Sequence, residues 1–298
     1  MDTLTTAFQD INKQVMALSK SPAVVTEENV YQEADEKILP YLEKMVESLI
    51  LPGSGVDGLE NLEKLYSEAL SGKSCLLLPE HYSNLDLSLF CYLVKKAGGK
   101  GEEISRSVTA IAGMKLNEDN PIVSALASAY TRIIIYPSRS LQALDSIKDK
   151  AEIIRSNGIN RAAMKALMEI RNTGRLILLF PSGTRYRPGD PSTKRGVREI
   201  DSYIKTFDYM CMVAINGEVL HVNKGDMMDD SVSKDVVRLS AGPVLSCAEF
   251  REKARTEAER QEQGSMDPID KKQAVADYIM VELEKMHMES EERRKQLL

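Results

Sequence analysis

Short apolar runs begin to alternate with longer amphipathic segments at residue 74, and this pattern constrains the fold more than any other feature of the sequence. Such alternation is typical of α/β architecture. The apolar runs contain no polar alternation, so helices are expected to cover both faces of the sheet. The predicted strands span residues 75–78, 108–112, 132–136, 176–180, 210–215 and 236–239. The expected fold is therefore α/β, with a mixed central sheet.

Amphipathic segments between these strands predict the covering helices. Two of them, at residues 141–155 and 159–173, are interpreted as separate helices. Residues 247–298 are rich in charge and predict C-terminal helices. The last of these is expected to begin after Asp267 and Pro268, because proline suits the first turn of a helix.

Residues 1–70 differ from the rest of the chain, because their apolar positions recur at helical spacing. They predict a few helices and no strands. The sequence Leu-Pro-Gly-Ser-Gly at residues 51–55 is the clearest boundary signal, since proline and glycine end a helix and loosen the backbone. We therefore expect a small helical N-terminal domain at residues 1–70 and an α/β domain with C-terminal helices at residues 71–298.

The composition argues against several classes of protein. The 298-residue chain has a net charge of −6, which argues against binding of nucleic acid through bulk electrostatics. Its four cysteines lie far apart without clustered histidines, so no metal site is expected. No apolar stretch approaches the roughly 18 residues of a membrane span, and the N-terminus lacks the pattern of a secretory signal. We expect a cytoplasmic protein with free thiols.

The first candidate site follows the predicted strand at residues 75–78. His81 lies in the loop after this strand and Asp86 opens the next helix, at the edge of the sheet where ligands collect. A histidine can accept a proton from a hydroxyl near neutral pH when a partner orients its ring. The spacing allows His81 and Asp86 to form such a pair. The alternative is a helix cap made by Ser83 and Asp86, with His81 as an incidental loop residue.

The other two of the three histidines are weaker candidates. His221 follows a strand and is expected to be a satisfied loop or core residue. His287 lies in a charged terminal helix and is expected on the solvated face of that helix. A catalytic role is therefore expected only for His81.

The second candidate site is the loop Pro-Ser-Gly-Thr-Arg-Tyr-Arg at residues 181–187, which follows another predicted strand. Gly183 permits a close approach of the backbone. Arg185 and Arg187 could converge on one anion, because each guanidinium group can bind two phosphate oxygens at once. Seven basic residues and one acidic residue lie within residues 171–198, which predicts a local positive surface. The alternative is a solvated turn with surface arginines.

Together the two sites resemble those of the glycerolipid acyltransferase family. The first block of the family is N-H-x4-D, and here His81 and Asp86 match it, with Glu80 before the histidine. The third block is F-P-E-G-T-R-S, and residues 180–185 match it, with Ser182 in the place of the glutamate.

The other two blocks of the family are matched less closely. Residues 112–116 and 132–139 occupy the place of the second block, with Arg139 as its basic residue. Residues 212–216 occupy the place of the fourth block and lack its usual proline. The resemblance covers roughly residues 74–220.

The form P-S-G-x-R-x-R is similar to that of the soluble plastid-type glycerol-3-phosphate acyltransferases, which also carry a helical N-terminal domain. This resemblance implies an O-acyltransferase of phospholipid biosynthesis. Its donor would be an acyl thioester of acyl carrier protein or coenzyme A, its acceptor glycerol 3-phosphate, and no cofactor would be needed. Peripheral contact of the C-terminal helices with a membrane stays open. Three alternatives also stay open: a lysophosphatidate acyltransferase, a non-catalytic relative that binds phosphate or lipid, and a hydrolase of acyl thioesters.

The residues and the resemblance together imply direct acyl transfer. His81, oriented by Asp86, would take the proton of a glycerol hydroxyl, which then attacks the thioester carbonyl. Ser182 lies outside any G-x-S-x-G sequence and is not expected to act as a nucleophile. The residues predicted to bind substrate are Arg139, Ser182, Gly183, Thr184, Arg185 and Arg187.

Overall fold

The computed structural model describes residues 2–19, 24–114, 116, 120–142, 144–146, 148–223, 227–261 and 270–298. Within these ranges the chain forms a nine-stranded sheet, a two-stranded sheet and twelve α-helices. The strands are β1 (Tyr31–Gln32), β2 (Gly55–Asp57), β3 (Cys75–Pro79), β4 (Val108–Gly113), β5 (Arg132–Ile135), β6 (Leu176–Leu178), β7 (Tyr209–Asn216), β8 (Leu220–His221), β9 (Ser231–Val232), β10 (Arg238–Ala241) and β11 (Leu245–Ser246). The helices are α1 (Leu4–Ala7), α2 (Gln9–Leu18), α3 (Leu39–Leu49), α4 (Leu59–Leu70), α5 (Asp86–Lys96), α6 (Gly101–Ser107), α7 (Pro121–Ala127), α8 (Ser138–Gln142), α9 (Lys150–Ile170), α10 (Ile200–Thr206), α11 (Cys247–Gln261) and α12 (Lys271–Lys295).

The centre of the large sheet is parallel. Strands β5, β4, β6, β3 and β7 lie side by side in this order and run in the same direction. Antiparallel β1 pairs with β5 at one edge, and antiparallel β10 and β11 pair with β7. Strand β2 lies outside β10 and is parallel to it. The predicted α/β class with a mixed sheet is confirmed, and each of the six predicted strands corresponds to a strand of this sheet.

Alternate residues of β3 face two hydrophobic cores. Cys75 and Leu77 belong to the core formed with α3 to α6, whereas Leu76 and Leu78 belong to the core formed with α9 to α12. All four side chains are completely buried. Burial of a leucine side chain contributes roughly 1.5–3 kcal/mol. Helices therefore cover both faces of the sheet, as the apolar strands predict.

The first 70 residues contribute strands as well as helices. Strand β1 pairs with β5, and β2 pairs with β10, so both join the large sheet. The prediction of no strands at residues 1–70 was wrong, because strands of two or three residues are too short to show the alternation that identifies a strand. Leu4 belongs to the same hydrophobic core as Leu77. The division of the chain into two domains stays a prediction.

One long helix replaces two predicted ones. The sequence predicts separate helices at residues 141–155 and 159–173, but α9 continues from Lys150 to Ile170. Gly158 lies in the middle of this helix, and a Cβ atom there would collide with the carboxylate of Glu27. The glycine therefore permits a close packing contact and does not end the helix.

The C-terminal helices α11 and α12 pack against each other, and α12 also packs along β7. The predicted helix start after Asp267 and Pro268 lies outside the described residues. The N-cap of α12 is Asp270, whose carboxylate accepts hydrogen bonds from the amides of Lys272 and Gln273. None of the helices in the described ranges combines the length and the apolar character that crossing a membrane requires.

The sheet order brings the two candidate sites together. Strand β3 lies between β6 and β7 and is parallel to both, with Leu77 opposite Leu178 and Pro79 opposite Val213. The carboxyl ends of these strands therefore meet at one edge of the sheet. The loops that follow β3 and β6 leave the sheet side by side at this edge, where ligands of open α/β sheets bind.

Candidate active site

His81 and Asp86 meet in the turn between β3 and α5. Nδ1 of the imidazole lies 2.9 Å from Oδ2 of the carboxylate. The Asp86 side chain is 2% exposed and that of His81 is 15% exposed. Because Asp86 occupies Nδ1, Nε2 is the nitrogen that is left for chemistry with a substrate.

Asp86 also holds the turn that carries the histidine. Its Oδ2 accepts hydrogen bonds from the amides of Tyr82 at 2.6 Å and Ser83 at 2.8 Å, and its Oδ1 accepts one from the Ser83 hydroxyl at 2.7 Å. The N-cap of α5 is Leu85 and no side chain caps the helix, so these bonds hold the turn before the helix while the same carboxylate pairs with His81. These donors restrict the rotation of the carboxylate, which in turn fixes the orientation of the imidazole.

The loop after β6 packs directly against His81. The ring of Phe180 stacks on the imidazole, with centroids 3.8 Å apart and planes inclined by 14°. The amide of Tyr186 donates a hydrogen bond of 2.8 Å to the carbonyl oxygen of His81. The two motifs, which are distant in the sequence, thus form one site.

A small, open cleft lies beside the imidazole. Both loops, the 3₁₀ turn Pro191–Lys194 and helix α12 contribute to its walls. The lining residues are Pro79, Glu80, His81, Tyr82, Pro181, Ser182, Tyr186, Thr193, Lys194 and Met280.

Ser182 and Gly183 form a tight turn at the edge of this cleft. The Ser182 hydroxyl donates to the carbonyl of Thr184 at 2.7 Å, and the Gly183 amide donates to the carbonyl of Phe180 at 2.9 Å. Gly183 has a φ of 63°, and a Cβ atom there would lie 2.9 Å from Cγ1 of Val197. The Ser182 hydroxyl bonds to a carbonyl and not to a base, which does not favour it as a nucleophile. The roles of residues 182–184 in substrate binding stay predictions.

Arg185 forms an ion pair with Asp230. The Arg185 side chain is 11% exposed, and that of Asp230 is completely buried. The carboxylate also accepts a hydrogen bond of 2.9 Å from the amide of Asn223. A buried carboxylate that loses its cation destabilises a fold, so Arg185 has a structural role. Its binding of a phosphate stays a prediction.

Arg187 and Arg139 both contact the 3₁₀ turn Pro191–Lys194. Arg187 is exposed, and its amide donates a hydrogen bond of 2.9 Å to the hydroxyl of Thr193. Nη2 of Arg139 lies 3.5 Å from the carbonyl oxygen of Ser192. The turn is thus contacted by the guanidinium group of Arg139 and by the backbone of Arg187, and the binding of one anion by these two arginines stays a prediction.

A second carboxylate–histidine pair adjoins the first. Glu80 is buried, and its Oε2 accepts hydrogen bonds from Nδ1 of His287 at 2.8 Å and from the amide of Ile215 at 2.9 Å. Its Oε1 accepts the hydroxyl of Tyr82 at 2.8 Å. The expectation that His287 lies on a solvated face was wrong, because α12 turns this residue towards the sheet.

The charge of Glu80 affects both of its partners. Burial opposes protonation of His287, but the hydrogen bond and the negative charge of Glu80 outweigh burial, so the pKa of His287 is raised above 6.5. Burial is the main cause that raises the pKa of Tyr82, and the Glu80 carboxylate raises it further. The hydroxyl of Tyr82 therefore stays a neutral donor. In the sequence, the cluster of Glu80, His287 and Tyr82 is indicated by the position of Glu80, a charged residue that directly follows the apolar strand β3.

The fold and the site define a protein with a paired histidine and carboxylate beside a cleft at the carboxyl edge of an α/β sheet. The sequence model of the protein family described as Acyltransferase matches residues 54–225, which is more than half of the 298-residue chain and includes both loops of the site. The chain belongs to this family, and it is an acyltransferase of glycerolipid metabolism. A search of curated proteins found no match to the chain.

Proposed function

We propose that the chain is a glycerol-3-phosphate acyltransferase, which transfers a fatty acyl group from an acyl thioester to a hydroxyl of glycerol 3-phosphate. The observation that carries this proposal is the hydrogen bond between His81 and Asp86 in a cleft that the basic loop 181–187 helps to line. A histidine beside a loop rich in basic residues suits an acceptor that carries both a hydroxyl and a phosphate.

In the proposed reaction Nε2 of His81 takes the proton of the acceptor hydroxyl, and the oxygen forms a bond to the carbonyl carbon of the thioester. Asp86 keeps the ring oriented and stabilises the imidazolium that forms. The carbon–sulfur bond then breaks, and the imidazolium returns the proton to the departing thiolate. The products are an acyl glycerol phosphate and the free thiol of the carrier, which is acyl carrier protein or coenzyme A.

The phosphate of the acceptor is proposed to lie against the arginines of the second loop. Arg139 contacts the 3₁₀ turn Pro191–Lys194 with its guanidinium group, and Arg185 and Arg187 add charge from the loop itself. The turn at residues 182–184 shapes the adjoining wall. Holding the phosphate places the hydroxyl near His81, and such positioning can supply on the order of several kcal/mol of the barrier reduction.

Thiol release tests the proposal directly. The protein is incubated with a palmitoyl thioester of acyl carrier protein or coenzyme A, with and without glycerol 3-phosphate. Acceptor-dependent release with an acyl glycerol phosphate as product is the expected result. Thiol release that does not depend on glycerol 3-phosphate would identify a hydrolase. The absence of thiol release would identify a binding protein.

Competition between acceptors separates the two acyltransferase activities. Glycerol 3-phosphate and lysophosphatidate are offered together at equal concentration, and the lipid products are identified by mass. A monoacyl product is expected to dominate. A predominantly diacylated product formed from the added lysophosphatidate would contradict the proposal and support the lysophosphatidate enzyme.

A further inference from the structure

We propose that Lys194 contacts the phosphate of the acceptor and selects phosphorylated acceptors over neutral ones. The inference rests on the proposed function, because it names the residue that recognises the charge of the acceptor. Lys194 ends the 3₁₀ turn Pro191–Lys194 and lines the cleft beside His81. Its side chain is 35% exposed, so solutes can reach the ammonium group.

The ammonium group of Lys194 lies over two aromatic rings of the cleft. Nζ is 5.9 Å from the ring centroid of Tyr82 and 5.5 Å from that of Tyr186. Tyr82 directly follows His81, and the amide of Tyr186 donates to the carbonyl of His81. Attraction to the ring faces holds the cation in the same cleft as the candidate base.

The arginines that the sequence singles out have other surroundings. Arg185 is paired with the buried carboxylate of Asp230, and Arg187 is exposed. Among the cleft-lining residues in the part of the chain that the structure describes, Lys194 is the only lysine or arginine. A phosphate that enters the cleft therefore meets the ammonium group of Lys194, while the arginines of the second loop lie outside the cleft lining.

The turn that carries Lys194 is held in place by its own hydrogen bonds. The Asp190 carboxylate accepts the amide of Ser192 at 3.1 Å and the hydroxyl of Ser192 at 2.6 Å. The hydroxyl of Thr193 donates to the carbonyl of Asp190 at 2.6 Å and accepts the amide of Arg187. The turn does not have to be ordered by the substrate, which reduces the entropy cost of binding.

In the free protein Lys194 is paired with Glu284 of α12, at 2.5 Å. The two side chains are 35% and 47% exposed, and an ion pair with this exposure is weak. A phosphate monoester carries more negative charge and more acceptor oxygens than one carboxylate, so it competes successfully for the ammonium group. Glu284 therefore holds the cation in position until the acceptor replaces it.

Lys194→Met tests the inference, because it removes the charge and keeps the length of the side chain. We expect the KM for glycerol 3-phosphate to rise about 10- to 100-fold, as befits the loss of a hydrogen bond to a charged group. The kcat is expected to stay within about threefold, and the preference for glycerol 3-phosphate over glycerol, measured as the ratio of their kcat/KM values, is expected to fall, because glycerol has no phosphate. Lys194→Arg restores the charge and is expected to recover a low KM at least in part.

Arg195→Met is the matched control. Arg195 adjoins Lys194 and is also paired with a carboxylate of α12, Asp277 at 3.4 Å, but it is not among the residues that line this cleft. The KM of Arg195→Met for glycerol 3-phosphate is expected to stay within about twofold of the wild-type value. The inference is overturned by an unchanged KM in Lys194→Met, or by an equal rise in both variants.

Calorimetric titration with glycerol 3-phosphate and with inorganic phosphate separates this inference from the proposed function. Weaker binding of both by Lys194→Met, with normal binding by Arg195→Met, supports the role of Lys194. If that result is obtained and no acyl product forms, only the proposed function fails. Wild-type protein that binds neither compound, or equal binding by all the variants, overturns the role of Lys194.

Discussion

The carboxylate of Glu80 and the imidazole of His287 lie 2.8 Å apart, although 207 positions separate the two residues in the sequence. Glu80 immediately precedes the candidate base His81, and His287 belongs to α12. Their hydrogen bond connects the C-terminal helix to the loop that carries the base. Because Glu80 also accepts the amide of Ile215 in β7, loop, sheet and helix are held as one unit.

This pair predicts a stability that depends on pH. Burial lowers the pKa of His287, but the hydrogen bond and charge of Glu80 outweigh burial and raise it above 6.5. The stabilisation is fully present below the unfolded pKa and is lost as the pH rises through the folded pKa. We expect His287→Asn to lower the free energy of unfolding by about 1–2 kcal/mol near pH 5.5, and by less near pH 9. Urea denaturation at the two pH values measures the difference.

His221→Asn provides the control for this experiment. His221 lies at the end of β8, half-buried, with Nε2 2.7 Å from the hydroxyl oxygen of Ser233. It does not connect separate parts of the fold, so its replacement is expected to change stability by less than about 0.5 kcal/mol. An equal loss of free energy at both pH values in His287→Asn would show that the charge of the pair does not contribute.

The sequence could predict those parts of the site that depend on local spacing. His81 and Asp86 lie within one turn, so their pairing follows from a short stretch of chain. The pairing of Glu80 with His287 could not be predicted, because it requires α12 to fold back along β7. The ion pair of Arg185 with Asp230 depends in the same way on a distant segment. The sequence therefore could not show that Arg185, which it predicts to bind phosphate, has a buried partner.

The fold was predictable to a similar extent. The strands at the centre of the sheet are recognisable because they lie in apolar runs, and burial on both faces favours apolar residues there. The edge strands β1 and β2 are too short for any pattern. The predicted break between residues 155 and 159 is absent, because Gly158 lies inside α9 and its missing side chain makes room for Glu27.

His81→Ala is expected to lower kcat by about 10²- to 10⁴-fold, because it removes the group that takes the proton of the hydroxyl. The KM for glycerol 3-phosphate is expected to stay within about threefold, since the imidazole does not bind the phosphate. Steady-state kinetics with the acyl thioester held at saturation measure both constants.

His81→Phe separates proton transfer from packing. A phenyl ring can still stack on Phe180, which lies 3.8 Å from the imidazole, but it cannot take a proton. We expect this variant to be as inactive as His81→Ala and closer to the wild type in stability. Near-normal turnover in His81→Phe would exclude His81 as the base.

Arg185 and Arg187 are expected to respond differently to replacement by alanine. Arg185→Ala leaves the buried carboxylate of Asp230 without its cation and is expected to lower the free energy of unfolding by about 3–5 kcal/mol. Arg187 is exposed, so Arg187→Ala is expected to change stability by less than about 0.5 kcal/mol while raising the KM for the acceptor. Denaturant titration and steady-state kinetics measure the two effects.

A second substitution tests whether the unpaired charge of Asp230 causes the loss of stability in Arg185→Ala. Asp230→Asn removes the unpaired charge, so the double variant with Arg185→Ala is expected to be more stable than Arg185→Ala alone. If the double variant is no more stable than the single one, the ion pair does not account for the structural role of Arg185.

Gly183→Ala is expected to weaken both stability and catalysis. The backbone φ of 63° disfavours alanine by about 1–2 kcal/mol, and the added Cβ atom would lie 2.9 Å from Cγ1 of Val197. The Gly183 amide donates to the carbonyl of Phe180, so a shift of the turn displaces the ring that stacks on His81. Such a displacement is expected to lower kcat about 10- to 100-fold.

Gly189→Ala distinguishes displacement of the ring from backbone strain alone. Gly189 has a φ of 87°, but beyond its two chain neighbours no described residue has an atom within 4 Å of the position that a Cβ atom would occupy. We expect a loss of stability of about 1–2 kcal/mol with kcat unchanged. Adding Val197→Ala to Gly183→Ala removes the close contact and is expected to recover part of the lost kcat. Equal loss of kcat in Gly183→Ala and Gly189→Ala, with no recovery in the double variant, would show that the position of Phe180 does not govern the activity of His81.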